Sequence, residues 1–137
     1  LTDHSIPFLP ELVAPGDFWQ RSGHKSGLQL LDLPAPPTAI FASNDLMAFG
    51  LMEAIRERNL SVPEDISIVG FDDIPQSSIV YPPLTTVRQP LDQMGRVAAR
   101  LLLEQIENPD RPPRRVTLAN QLIIRESCAA LKERGGC

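Results

Sequence analysis

An α/β fold is predicted by three features of the 137-residue sequence. Thr38-Ala39-Ile40-Phe41-Ala42 is a short, largely apolar run, as in a parallel strand buried on both faces. Ile66-Ser67-Ile68-Val69-Gly70-Phe71 is a second such run. Between them Leu46 to Arg58 reads as helix. Strand, helix and strand within about 34 residues make a βαβ unit.

The remaining elements follow in chain order. Six of the fourteen prolines fall in the first 37 residues, so that part breaks into short pieces. Glu11-Leu12-Val13-Ala14 reads as a short strand. A turn at Gly16-Asp17 leads into a helix reaching about Leu31, with Leu28, Leu30 and Leu31 on its apolar side. Ser43-Asn44-Asp45 supplies capping side chains and an acid for the positive end of the next helix. Asn59 is a tolerable left-handed terminator, and Pro63 stops that helix from resuming. Leu84-Thr85-Thr86-Val87 is β-prone, and Pro90 suits the first turn of a helix running to about Glu107. Leu91, Met94, Ala98, Leu101, Leu102 and Ile106 keep helical spacing along it. Val116 to Arg125 reads as one or two strands.

Charge and cysteine content exclude several function classes. The net charge is −4, with four basic and eleven acidic residues over 1–87 and nine basic and six acidic over 88–137. The first part therefore carries −7 and the second +3. A chain that grips DNA unaided needs a basic stripe to displace counterions, and the first 87 residues hold none. Cys128 and Cys137 form no CxxC pair, which argues against a zinc site or disulfide scaffold and fits a reducing cytoplasm. No apolar run approaches the ~20 residues of a membrane span, and no leader opens this stretch, so no membrane partner is expected.

Ligands of open α/β sheets bind beyond the carboxyl ends of the strands. Three loops leave such ends, carrying Asp17, Phe18 and Trp19, then Asn44 and Asp45, then Asp72, Asp73 and Gln76. Acids and amides accept hydrogen bonds from hydroxyl groups, and an aromatic ring packs on the C–H face of a sugar. Each feature has a plainer reading. Asn44-Asp45 also reads as a helix cap, Asp72-Asp73 as loop acid and turn cap, and Phe18 or Trp19 as core. Catalytic patterns are thin, since the glycines make no GxGxxG or P-loop, no GxSxG elbow occurs, and His4 and His24 lack a paired metal ligand. No cofactor is expected. A Mg²⁺-dependent enzyme built on Asp72-Asp73 has no lysine or phosphate loop to support it.

The helix after Asn44 is apolar over an arc of about 160°, through Ala54, Met47, Leu51, Ile55, Ala48 and Met52, with Leu46 and Phe49 outside it. One sheet face needs less. A second subunit would use the excess, and so would a deeply buried core helix. Ser77-Ser78-Ile79-Val80-Tyr81 is a suitable neighbour in a contact between subunits.

Three stretches carry a family resemblance. They are Pro37-Thr38-Ala39-Ile40-Phe41-Ala42-Ser43-Asn44-Asp45, Val62-Pro63-Glu64-Asp65-Ile66-Ser67-Ile68-Val69-Gly70-Phe71-Asp72-Asp73 and Pro82-Pro83-Leu84-Thr85-Thr86-Val87-Arg88-Gln89-Pro90. In order and spacing the chain resembles the C-terminal half of lactose/galactose-repressor-type (LacI/GalR) transcription regulators, and Arg125-Glu126-Ser127 resembles their close.

The resemblance implies a type I periplasmic-binding-protein-like parallel sheet flanked by helices, present here as an incomplete fragment. It assigns 1–88 to part of the C-terminal effector-binding subdomain. It gives 89–118 to the N-terminal subdomain, and 119–137 to a return strand and tail. It implies a small-molecule effector, a sugar or a related compound, held by Phe18, Asn44, Asp72 and Gln89. Asp45, Asp73, Gln76 and Leu91 are weaker candidates. It further implies a cytoplasmic homodimer using Met52, Ile55, Ile79, Val80 and Tyr81. Operator DNA would be met only through a helix-turn-helix domain outside this sequence, and the protein would not be an enzyme. A periplasmic sugar-binding protein of a transporter shares the fold and is the alternative. The helix after Pro90 would lack its own sheet and would have to bury its apolar side elsewhere.

Overall fold

A computed structural model describes residues 6–130. His4 and Cys137, discussed above, lie outside the described residues, as does the end of the 119–137 tail. Four strands form one sheet in the order β1 (Ala39–Phe41), β2 (Ser67–Asp72), β3 (Thr85–Arg88) and β4 (Gln121–Ile123). The first three are parallel, with Phe41 opposite Val69 and Asp72 opposite Arg88, and β4 is antiparallel to β3. Helix α1 is Gln20–Leu31, α2 is Asp45–Glu57 and α3 is Leu91–Glu107. The βαβ unit is therefore β1-α2-β2.

Helix α2 lies between β2 and α1, and its wide apolar arc is spent on these two neighbours. Met47, Ala48, Leu51, Met52, Ala54 and Ile55 are all buried in the core with Ile66, Ile68 and Leu84. Phe49, outside the arc, is buried as well. The excess apolar width is that of a deep core helix, and no second subunit is needed to account for it. Met52 and Ile55 belong to this core.

Helices α1 and α2 touch backbone to backbone. A Cβ placed on Gly23 would stand 2.1 Å from the Met47 carbonyl oxygen, and one on Gly50 would stand 1.9 Å from that of Gln20. Outside this contact, the Arg58 guanidinium makes two hydrogen bonds to Asp32, at 2.9 and 2.8 Å, and the His24 ring lies 2.8 Å from Glu57.

Two expected elements differ. Glu11-Leu12-Val13-Ala14 is not a strand. Pro10–Leu12 forms a one-turn 3-10 helix on the surface, with Pro10 preset for a turn and no strand among the described residues beside it to pair with. Strand β1 is not buried on both faces, because it is the sheet edge and Phe41 is largely exposed. Asn59 has φ 57° and ends the α2 segment in the left-handed region, as its residue type predicts.

Helix α3 buries no residue. Leu91, Leu102, Leu103 and Ile106 remain exposed, so its apolar side is unpaired within the described residues. Exposed contiguous apolar surface favours association. Light scattering on this chain is expected to give a mass above its 15.1 kDa. A monodisperse species at the monomer mass would show that α3 tolerates water.

Candidate functional site

The carboxyl ends of β1, β2 and β3 lie side by side, which sets the loops that follow them along one edge. The Phe18 loop, expected to leave a strand, follows none among the described residues and is tied to this edge through Asn44. The backbone there is bent away from ordinary strand geometry. Phe18, Asp72 and Asp73 have φ of 68°, 111° and 60°, in the region that favours glycine. Non-glycine residues held so cost of order 1–3 kcal/mol each, and they persist where surrounding bonds fix them.

Those bonds are explicit. Asn44 accepts from the Met47 amide at 2.9 Å, capping α2, and its Nδ2 donates to the Phe18 carbonyl at 2.9 Å. The Trp19 amide donates to Asp17 Oδ1 at 3.1 Å. Asn44 is thus both the cap that its residue type predicts and the anchor of the aromatic loop. Phe18 presents its side chain to solvent.

On the other side of the rim, Gln89 Nε2 donates to Asp72 Oδ1 at 2.7 Å. Asp72 Oδ2 accepts no hydrogen bond from any described residue, which leaves one carboxylate oxygen available to a hydroxyl donor. Gln76 and Leu91 are exposed nearby in sequence, in the loop after β2 and at the start of α3.

Two weaker candidates are placed differently from the expectation. Asp45 is fully buried and cannot reach a ligand at the rim. Its carboxylate accepts from the Ile74 amide at 2.9 Å, the Ser77 hydroxyl at 2.6 Å and the Thr86 hydroxyl at 2.5 Å. Asp73 has a side chain only 5% exposed, and its carboxylate lies between Arg88 and Arg125, the latter at 2.6 Å. Burial opposes ionisation of Asp73. Hydrogen bonds from Arg125 and Arg88, with their charges, outweigh it and hold the carboxyl below the usual carboxylate range. Arg125 also donates to the Leu84 carbonyl at 2.7 Å.

The sequence assigns no part at this edge to Arg88, Arg125 or Thr86, and reads Ser77 only as a neighbour in a subunit contact. Arg125 and Asp73 are 52 residues apart, so no local pattern announces their contact. Among the described residues no group of three His, Cys, Asp or Glu could hold a metal ion.

At the opposite edge of the sheet a cavity of about 410 Å³ is lined by Met52, Ile55, Leu60, Val62, Tyr81 and Pro82 among others. Ile79 and Tyr81 protrude, 77% and 83% exposed, while Val80 is half-buried against the core.

The three parallel strands thus bring Asp72, the Asn44 and Gln89 amides and the Phe18 ring to one edge of a sheet that β4 closes antiparallel. A family model described as periplasmic binding protein-like domain matches residues 2–128. The chain is 44% identical over 122 residues to the HTH-type transcriptional repressor CytR of Escherichia coli, covering 89% of this chain and 36% of that protein. It superposes on the transcriptional regulator CelR in complex with cellobiose with TM-score 0.85 at 37% identity, over 92% of this chain and 38% of that one. It also matches a LacI family transcriptional regulator from Enterococcus faecium with bound ribose, with TM-score 0.76 at 38% identity, over 87% of this chain and 44% of that one. The chain belongs to the periplasmic binding protein-like domain family, and these similar proteins are named as transcriptional repressors and regulators. It spans well under half the length of these relatives.

Proposed function

We propose that this chain is the ligand-sensing and dimerising part of a LacI-type transcriptional regulator. A small hydroxyl-rich effector, a sugar or related compound, sits against the rim of Phe18, Asn44, Asp72 and Gln89, and operator DNA is bound by a separate helix-turn-helix domain. The observation that carries this reading is the pairing at the strand ends. Asp72 keeps one carboxylate oxygen for a hydroxyl while Gln89 holds the other. Asp73 is neutralised by Arg88 and Arg125, and it serves the loop rather than the ligand. Asn44 acts through Phe18, whose ring it positions for stacking.

Residues 1–88 and 119–137 form one subdomain around the rim, and 89–118 pack on a subdomain that this chain does not contain. Relatives and neighbours named as repressors and regulators favour this over a transport protein of the same fold. A regulator of operator DNA works in the cytoplasm and performs no catalysis. Its homodimer uses Ile79 and Tyr81 as protruding contacts beside Val80, with Met52 and Ile55 as the floor beneath. Effector binding then biases dimer geometry.

The test is Asp72→Ala in the full-length regulator. Losing a charged acceptor weakens effector affinity by about 10- to 100-fold. Operator binding without effector stays unchanged, because no DNA-contacting group is touched. Calorimetry against pentoses, disaccharides and nucleosides, with a DNA mobility assay beside it, gives both readings. Unaltered effector affinity in the variant would remove Asp72 from the site.

A further inference from the structure

We infer that Asp45 is a positioning residue that locks the two halves of the rim to each other. This rests on the rim being the effector site. One half is the Phe18 loop and Asn44, and the other is the loop that leaves β2 with Asp72. No hydrogen bond among the described residues runs directly from Phe18 or Asn44 to Asp72 or Gln89. The β1–β2 pairing joins the halves as far as the Ala42 amide and the Val69 carbonyl, and beyond it the side-chain link is Asp45, adjacent to Asn44 in sequence.

Its carboxylate is buried and serves three donors on the far half. These are the Ile74 amide, two residues after Asp72, the hydroxyl of Ser77, which lies in the turn Pro75–Ser78, and the Thr86 hydroxyl on β3. Helix capping does not explain it, since Asn44 already takes the Met47 amide and no amide of α2 donates to Asp45. Gly70 on β2 makes room for the group. A Cβ there would lie 2.4 Å from Asp45 Oδ1 and 2.9 Å from Leu84 Cδ2. The strand is thus shaped to admit this carboxylate. A carboxylate is acceptor-only with about four lone-pair sites, so it can serve three donors at once. An amide in its place turns one oxygen into a donor and must reverse at least one bond.

Hydrogen exchange on the full-length protein tests this without an identified effector. In Asp45→Asn the amide of Ile74 and its neighbours over 72–78 should exchange roughly tenfold faster, while α1 and the centre of α2 keep their protection. Ile55→Val, a core change of mild cost, is the control. A merely structural role for Asp45 would make the two variants alike over 72–78 once matched for stability. If Asp45→Asn does not fold, Ser77→Ala keeps the carboxylate, removes one donor and carries the same measurement. Exchange at Ile74 within twofold of the parent, or no faster than in Ile55→Val, would overturn the role.

A parallel titration with D-ribose separates the two readings. Where the parent binds ribose, Asp45→Asn should weaken it roughly tenfold while leaving Asp72 in place, and an unchanged affinity would overturn the positioning role. Faster exchange with no ribose binding by the parent supports the lock and counts against ribose as the guest.

Discussion

Gly50→Ala is expected to destabilise the protein by about 3 kcal/mol or more, at or beyond the upper end of ordinary overpacking. The added methyl would sit 1.9 Å from the Gln20 carbonyl oxygen and 2.6 Å from the His24 amide nitrogen. Both are backbone atoms of α1 that no rotamer change can move. Relief requires α1 to lift off α2, which uncovers Met47 and Leu51. Urea titration followed by circular dichroism measures the loss. Gly95→Ala provides the opposite sign, since Gly95 lies in α3 and an added Cβ there meets nothing within 4 Å. There alanine should add up to about 1 kcal/mol of helix stability. A Gly50→Ala protein within 1 kcal/mol of the parent would mean that the helices part more easily than their contact indicates.

Asp73→Ala comes next in size, at about 3 kcal/mol, because it strands a guanidinium as well as removing an acid. The Arg125 side chain is 16% exposed and among the described residues would keep only the Leu84 carbonyl as acceptor. Arg88 is half exposed, so water compensates it and its share is small. The same pair sets an acid limit. The folded carboxyl of Asp73 titrates below its unfolded value, so its contribution is present above the unfolded pKa of about 3.9. It disappears as pH falls through the lower folded value. Stability measured between pH 5 and pH 2 should therefore fall less steeply in Asp73→Ala than in the parent. Parallel curves would mean that Asp73 gains nothing from its arginines.

Much of the scaffold was legible because its signals are local. Apolar runs at 38–42 and 66–71, with helical spacing between them, gave β1, α2 and β2 within a residue or two at each end. Pro90 and the apolar spacing after it marked α3, and its lack of a covering sheet followed from the resemblance. Glu11-Leu12-Val13-Ala14 misled because so short a strand needs a partner, and none lies beside it among the described residues. Asp45 misled for another reason. An acid after a capping Asn looks like a partner for the helix dipole, and only the folded chain brings Ile74, Ser77 and Thr86 around it. The left-handed backbone at Phe18, Asp72 and Asp73 was invisible, since none of the three is glycine. Asn44, Asp72 and Gln89 were readable as residue types at strand ends, but Phe18 follows no strand among the described residues, and the bonds from Asn44 to Phe18 and from Gln89 to Asp72 span 26 and 17 residues.

The interlocked glycines of α1 and α2 divide the molecule by tolerance to change. Behind the rim, a single extra carbon at position 23 or 50 collides with main chain, so mutational drift is closed off there. On the rim itself Phe18 and Gln76 project outward, and no buried contact depends on them. A lineage descended from this scaffold can exchange those outward groups for others without refolding its interior, so the face of the molecule varies while the chassis stays the same.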